Sequence, residues 1–212
     1  MAENLLRLSG TCVITCAMGK RKPSATPPGE RLDFKGTFSE RDAELMRALV
    51  RFTARTLPTA SPVPFGALVA DTASGTVLLR SLNAVRRELD PSSHAELRAV
   101  RKATRKLGRI SLKGFTLFTT CEPCPMCMGN ALWAGLDRVV YGATIDDANQ
   151  FCRQIHVPAR ELSKRSDMPI RIDGPFLRDE CVALFTHPNM QKAFATWNPK
   201  GPWKPTQRRA TA

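Results

Sequence analysis

No run of eighteen apolar residues occurs in this 212-residue chain, so no segment is expected to cross a membrane as a helix. No internal repeat is present either, which excludes a solenoid or a propeller. The seven cysteines, at 12, 16, 121, 124, 127, 152 and 181, are odd in number and irregular in spacing. A reducing, cytoplasmic setting with a metal explains that pattern better than a disulfide framework. Acid is also scarce, with 19 Asp and Glu against 32 Lys and Arg, and residues 189–212 contain none. Of the net charge of +13, +8 lies in residues 1–35 and 189–212. Such basic ends read as solvated charge, with phosphate binding as the alternative.

What is present fits one globular domain with extensions, since 42% of the residues are hydrophobic. Residues 1–35 read as a disordered, basic, proline-rich leader containing Lys20, Arg21, Lys22, Pro23, Pro27 and Pro28. The alternative, export through the mildly apolar stretch 5–18, is weakened by Arg7 and by basic residues that follow the stretch. A domain is expected over 36–188. A basic tail over 189–212 carries Phe194, Trp197 and Trp203, a composition suited to docking.

Within the domain, Ser39 followed by Asp42 predicts a capped helix start, and the prolines at 58, 62 and 64 end that helix. Residues 65–70 and 76–79 predict an antiparallel hairpin. A second helix is expected from Ser92 to a stop at Gly108, with Leu97, Val100, Ala103 and Leu107 inward and the basic residues 98, 101, 102, 105 and 106 outward. Residues 115–120 and 139–141 predict further strands, with a helix over 124–134 between them that has Pro125 in its first turn. Beyond Ala143 the pattern predicts a short helix or loop over 146–154, a helical turn over 157–163, an edge strand over 169–172 and a last helix over 178–185. This order implies an α/β sandwich with right-handed crossovers and parallel pairing.

Two segments carry the chemistry. His94-Ala95-Glu96 and Cys121-Glu122-Pro123-Cys124-Pro125-Met126-Cys127 offer one imidazole, two thiols and a carboxylate. His94, Cys124 and Cys127 make three ligands for Zn2+, with a fourth position open to water; ligand softness leaves iron as the other choice. A purely structural site would have no use for Glu96, which is placed to carry protons between water and a leaving amine. Taken singly, each residue has a plain reading: His94 a packed histidine, Glu96 a first-turn acid complementing the helix dipole.

The joint pattern resembles the cytidine deaminase superfamily. It is similar above all to bacterial guanine deaminases, then to transfer-RNA adenosine deaminases, over roughly residues 65–148. The shared residues are His94-Ala95-Glu96-Leu97, Arg101-Lys102-Ala103, Leu107-Gly108, the Cys121–Cys127 segment and Trp133-Ala134. The resemblance implies a three-layer α/β/α sandwich with a mixed, mainly five-stranded sheet, and a homodimer. It implies zinc on His94, Cys124 and Cys127, with Glu96 as general acid and base. It also implies substrate contacts from the Asn83 side chain, the Phe65 ring, the Ala95 backbone and Trp133 as a pocket wall. Against these stand a turn cap for Asn83, strand core for Phe65 and helix packing for Trp133. The implied reaction is hydrolytic deamination of a free nucleobase or nucleoside, guanine to xanthine. The alternatives are transfer-RNA adenosine, a cytosine-type base, or a noncatalytic zinc module. One departure concerns guanine: where the resembled enzymes have an acidic segment after Ala148, residues 149–154 contain no carboxylate.

Overall fold

The computed structural model describes residues 38–197. The expected leader, the end of the basic tail and Trp203 lie outside them. The chain enters at Ser39, whose hydroxyl accepts from the Asp42 N–H at 3.1 Å while the Asp42 carboxylate accepts from the Ser39 N–H at 2.9 Å. This reciprocal cap starts α1 (Glu40–Ala54) as the sequence predicts. A five-stranded sheet follows in the order β2-β1-β3-β4-β5. Its strands are β1 (Gly66–Asp71), β2 (Val77–Leu82), β3 (Phe115–Cys121), β4 (Arg138–Ala143) and β5 (Arg171–Asp173).

The hairpin is antiparallel as expected, and β3-β4 and β4-β5 pair in parallel. The sheet is mixed as expected, and β1 also pairs antiparallel with β3. The crossover from β2 therefore passes over β1, so β2 and β3 run the same way without touching. That crossover is α3 (Ala95–Leu107), which ends at Gly108 in the left-handed conformation (φ 64°). It begins three residues later than predicted, because Ser92 and Ser93 are held in a turn by the Asp90 and Glu88 carboxylates.

Alternation along the strands divides the core in two. On one face Ala67, Val69, Leu117, Val139 and Tyr141 meet α3, α4 (Pro125–Trp133) and α6 (Ala159–Lys164). On the other face Leu68, Ala70, Phe118 and Val140 meet α1, α7 (Arg178–Thr186) and α8 (Pro188–Trp197). Three layers result, with a mixed sheet in the middle. Short helices α2 (Val85–Glu88) and α5 (Ile145–Asn149) fill the loops at one end. Nothing in the sequence pattern singles out α2, and α8 continues the packing past the helix expected to be last, burying Met190 and Phe194. Among the described residues no helix is long and apolar enough to cross a membrane.

Arg138 ties the layers electrostatically, donating to Asp42 of α1 at 2.8 Å and to Asp173 of β5 at 2.5 Å. Gly66 ties them sterically, because a Cβ there would lie 2.0 Å from the Thr53 hydroxyl of α1. Gly66→Ala should therefore lower stability by about 1–3 kcal/mol through overpacking. Adding Thr53→Ala should recover part of that loss in denaturant unfolding; an unchanged midpoint in Gly66→Ala would refute the close approach.

Candidate metal centre

β1 begins, and β2 and β3 end, at the same edge of the sheet, as the pairing of Gly66 with Leu82 and Ala67 with Thr119 requires. At that edge the chain turns from strand to helix twice. His94 is the N-cap of α3 and Cys124 the N-cap of α4, both extended in backbone (ψ 154° and 166°). Pro125 takes the first helical position of α4, where its missing N–H costs nothing, and brings Cys127 into the first turn.

The three expected ligands come together. The Nδ1 of His94 lies 3.6 Å from the Cys124 sulfur and 3.5 Å from the Cys127 sulfur. All three donor atoms fall within 4.8 Å of one another, and among the described residues no fourth His, Cys, Asp or Glu joins them. Tetrahedral zinc with bonds of about 2.0 Å to nitrogen and about 2.3 Å to sulfur would separate such donors by roughly 3.5 Å. The donor set and its spacing thus fit zinc held through Nδ1. Hydrogen bonds from Cys127 and His94 pull the Cys124 thiol down to about 4, whereas the bond to Cys124 and burial push Cys127 up. The backbone N–H of Leu97 is directed at the Cys127 sulfur and favours its thiolate.

Glu96 sits in the first turn of α3 and is only 6% exposed. Burial pushes its carboxyl up to about 7; the charge of His94 opposes that rise, and Cys127 hydrogen-bonds the carboxyl. A buried carboxyl beside three metal donors is the arrangement expected of a proton carrier.

The remaining expected residues divide. Ala95 is fully buried at the first position of α3, where a helix N–H has no intrahelical partner. Asn83 follows β2 at the same edge, where its Oδ1 accepts from the Val85 N–H at 3.0 Å and so caps a turn. Phe65 precedes β1 there, half-buried, its ring 5.5 Å from that of Phe185. Trp133 lies at the far end of α4, roughly 13 Å along the axis from its start. It is 78% exposed, so it neither packs its helix nor walls a pocket within the single chain.

Sequence reasoning missed two carboxylates that hold the site. Glu122, beside the ligands in the same motif, accepts from the Ile145 N–H at 3.2 Å and the Ala159 N–H at 2.9 Å, anchoring the first residues of α5 and α6. Its place between Cys121 and Pro123 was a usable signal. Glu88 receives Arg98 in a fork, at 2.6 and 3.2 Å, and the Ser93 hydroxyl at 2.6 Å. Arg98, expected outward, is 6% exposed and also donates to the Leu82 carbonyl at 2.6 Å. These bonds fix the loop that ends in His94.

The sequence profile of the cytidine and deoxycytidylate deaminase zinc-binding region matches residues 39–143. Guanine deaminase of Bacillus subtilis is 38% identical over 105 residues, covering 46% of this chain and 66% of that protein. A tRNA-specific adenosine deaminase of Buchnera aphidicola is 30% identical over 125 residues, covering 58% of this chain and 74% of that protein. The chain belongs to the cytidine and deoxycytidylate deaminase family. A solved guanine deaminase from Nitrosomonas europaea shares the family fold, with a TM-score of 0.60 at 23% identity over 71% of this chain and 82% of that one.

In this family member the Glu88 cluster makes a pH prediction. The Ser93 hydroxyl and then Arg98 hold the Glu88 carboxyl at about 2, against an ordinary 4.5. The folded carboxyl binds a proton less readily than the unfolded one, so its stabilisation is complete above 4.5 and vanishes as pH falls through about 2. Denaturant midpoints of the wild type and Glu88→Gln should differ above pH 4.5 and converge toward pH 2. A constant difference across that window would exclude the assignment.

Proposed function

We propose that this chain is a zinc-dependent aminohydrolase that converts the exocyclic amino group of a free purine base, or of a related nucleoside, to a carbonyl. Guanine, giving xanthine and ammonia, is the leading substrate. The reading is carried by Glu96, a buried carboxyl two residues from His94 and against Cys127, beside a ligand trio that has no fourth protein donor among the described residues. His94, Cys124 and Cys127 would hold the zinc, which would make bound water a nucleophile near neutral pH.

The protein groups account for the rest. Glu96 takes one proton from the water and passes it to a ring nitrogen, then moves the second proton to the leaving amine. One C–O bond forms, one C–N bond breaks, and water plus guanine balances xanthine plus ammonia. Asn83 and the Ala95 N–H are proposed to orient the ring's polar edge, and Phe65 to pack on its face. The similarity to the Bacillus subtilis guanine deaminase supports the purine base. A second reading, adenosine in transfer RNA, is supported by the similarity to the Buchnera enzyme over 74% of its length. A homodimer is part of the proposal, supported by the exposed Trp133 and Met126 on α4, and light scattering on the purified chain reads it.

Glu96→Ala should keep stoichiometric zinc and lose ammonia release from guanine by about 100-fold or more. Loss of zinc, or undiminished turnover, would remove Glu96 from this role. Running the wild type on guanine, guanosine, adenine, cytosine, cytidine and transfer RNA separates the two readings by which one yields ammonia.

A further inference from the structure

The C-terminal half of α1 and the edge strand β2 form a cleft that the metal centre does not use. Its cavity is about 250 Å³ and is lined by Ala48, Arg51, Phe52, Arg55 and Arg80. Ala48, Arg51 and Phe52 of α1 and its C-cap Arg55 stand at i, i+3, i+4 and i+7, hence on one face of the helix. Ala48 leaves depth, Phe52 supplies a flat apolar wall, and the two arginines flank them. Arg80 arrives from a different element. It pairs across the hairpin with Leu68, whose side chain belongs to the core beneath α1, and cross-strand partners share a face. Three exposed guanidiniums thus converge from a helix and a strand.

No carboxylate lines the cleft. Among the described residues none of the three guanidiniums has an ion pair, whereas Arg47, one turn earlier, pairs with Glu180 at 3.1 Å. Favourable interaction with the C-terminal dipole of α1 accounts for Arg51 and Arg55 as ordinary surface residues. It does not account for Arg80, which adds a third like charge from the neighbouring strand. Mutual repulsion of this kind is relieved by an anion, and planar guanidinium forks match phosphate oxygens.

We propose that this cleft is a binding site for a phosphate group, free or carried by a nucleotide or nucleic-acid strand. Arg80 stands three residues before Asn83 on the same strand run, about 10 Å away. A phosphate held here therefore lies within a few nucleotide lengths of the edge of the sheet where the metal ligands gather. Phe52 offers a ring for a neighbouring base. The site is independent of the deaminase reading, because its test measures binding and not turnover.

The test uses the full zinc-loaded chain with two probes: a labelled single-stranded RNA of about twelve nucleotides, followed by anisotropy, and inorganic phosphate or pyrophosphate, followed by calorimetry. Arg51→Ala, Arg55→Ala and Arg80→Ala should each weaken binding about three- to tenfold, and Arg80→Lys should fall between Arg80→Ala and the wild type. Arg105→Ala, which removes an equal charge from α3 on the opposite face of the sheet, should leave binding unchanged. Loss of phosphate or pyrophosphate binding in the cleft variants identifies a free-phosphate or nucleotide site. Loss confined to RNA, with the salt slope reduced by about 0.7 per contact removed, identifies a strand backbone. Equal weakening by Arg105→Ala, no effect of Arg80→Ala on either probe, or no binding of either probe overturns the proposal. Thermal melts of the exposed-site variants confirm that the fold is retained.

Discussion

Two helix N-termini aimed at one point impose the requirement that the rest of this structure meets. Each terminus carries partial positive charge and unpaired N–H groups, so bringing α3 and α4 together at the sheet edge is unfavourable unless negative charge sits between them. The Cys124 thiol, held low at the N-cap of α4, supplies such charge, and Cys127, Glu96 and His94 gather beside it. The geometry depends on strand order. Because β1 lies antiparallel between β2 and β3, the crossover through α3 delivers a second helix start to the edge where β3 delivers α4.

Holding donor atoms that come from segments thirty residues apart within 4.8 Å demands rigid loops, and hydrogen-bonded carboxylates provide them. Glu88 binds Ser93 and Arg98 and so locks the turn before His94. Glu122 accepts two helix-start N–H groups and docks the chain that follows β4 against the β3–α4 turn. Asp147 caps its own helix through Thr144 and pairs with Arg178 of α7. Glu122 and Asp147 are buried and meet donors that would otherwise be orphaned in the interior, so both are satisfied where an unpaired charge would be costly, while Glu88 works from the surface. They hold the site by position, while Glu96, buried beside the thiols, is the acid proposed to move protons.

How far the sequence could be read follows the range of the interactions concerned. Local signals were legible: the Ser39–Asp42 cap, the Gly108 stop, the hairpin and the Cys-x-x-Cys turn all reappear, because each depends on residues a few positions apart. The metal trio was legible because ligand chemistry restricts residue type severely. Arg98 was misplaced because its periodicity is that of a surface arginine, and its partners, Glu88 ten residues away across a turn and Ser81 and Leu82 at the end of β2, are not local to it. The antiparallel β1–β3 pair was likewise hidden, since strand order is decided by tertiary packing. Trp133 shows the limit of a resemblance: a position shared with other chains does not fix a side chain's surroundings, and here the indole faces outward.

The residues proposed to hold the ring lean on the part of the chain where local signals were weakest. After α5, Phe151 turns into an aromatic group with Phe185 and Phe194, at centroid distances of 5.7 Å to each, and Phe185 lies 5.5 Å from Phe65. Phe65 therefore has a face engaged by core, and its freedom to meet a ring is set by how tightly α7 and α8 pack behind it. Arg86, three residues beyond Asn83, donates to Thr196 of α8 at 2.8 Å, so α8 also bears on the turn that Asn83 caps. Both residues proposed to hold the ring are thus coupled to the last described helix. On the proposed function, discrimination between a free base and a larger substrate would then depend on the packing of α8 more than on the metal trio.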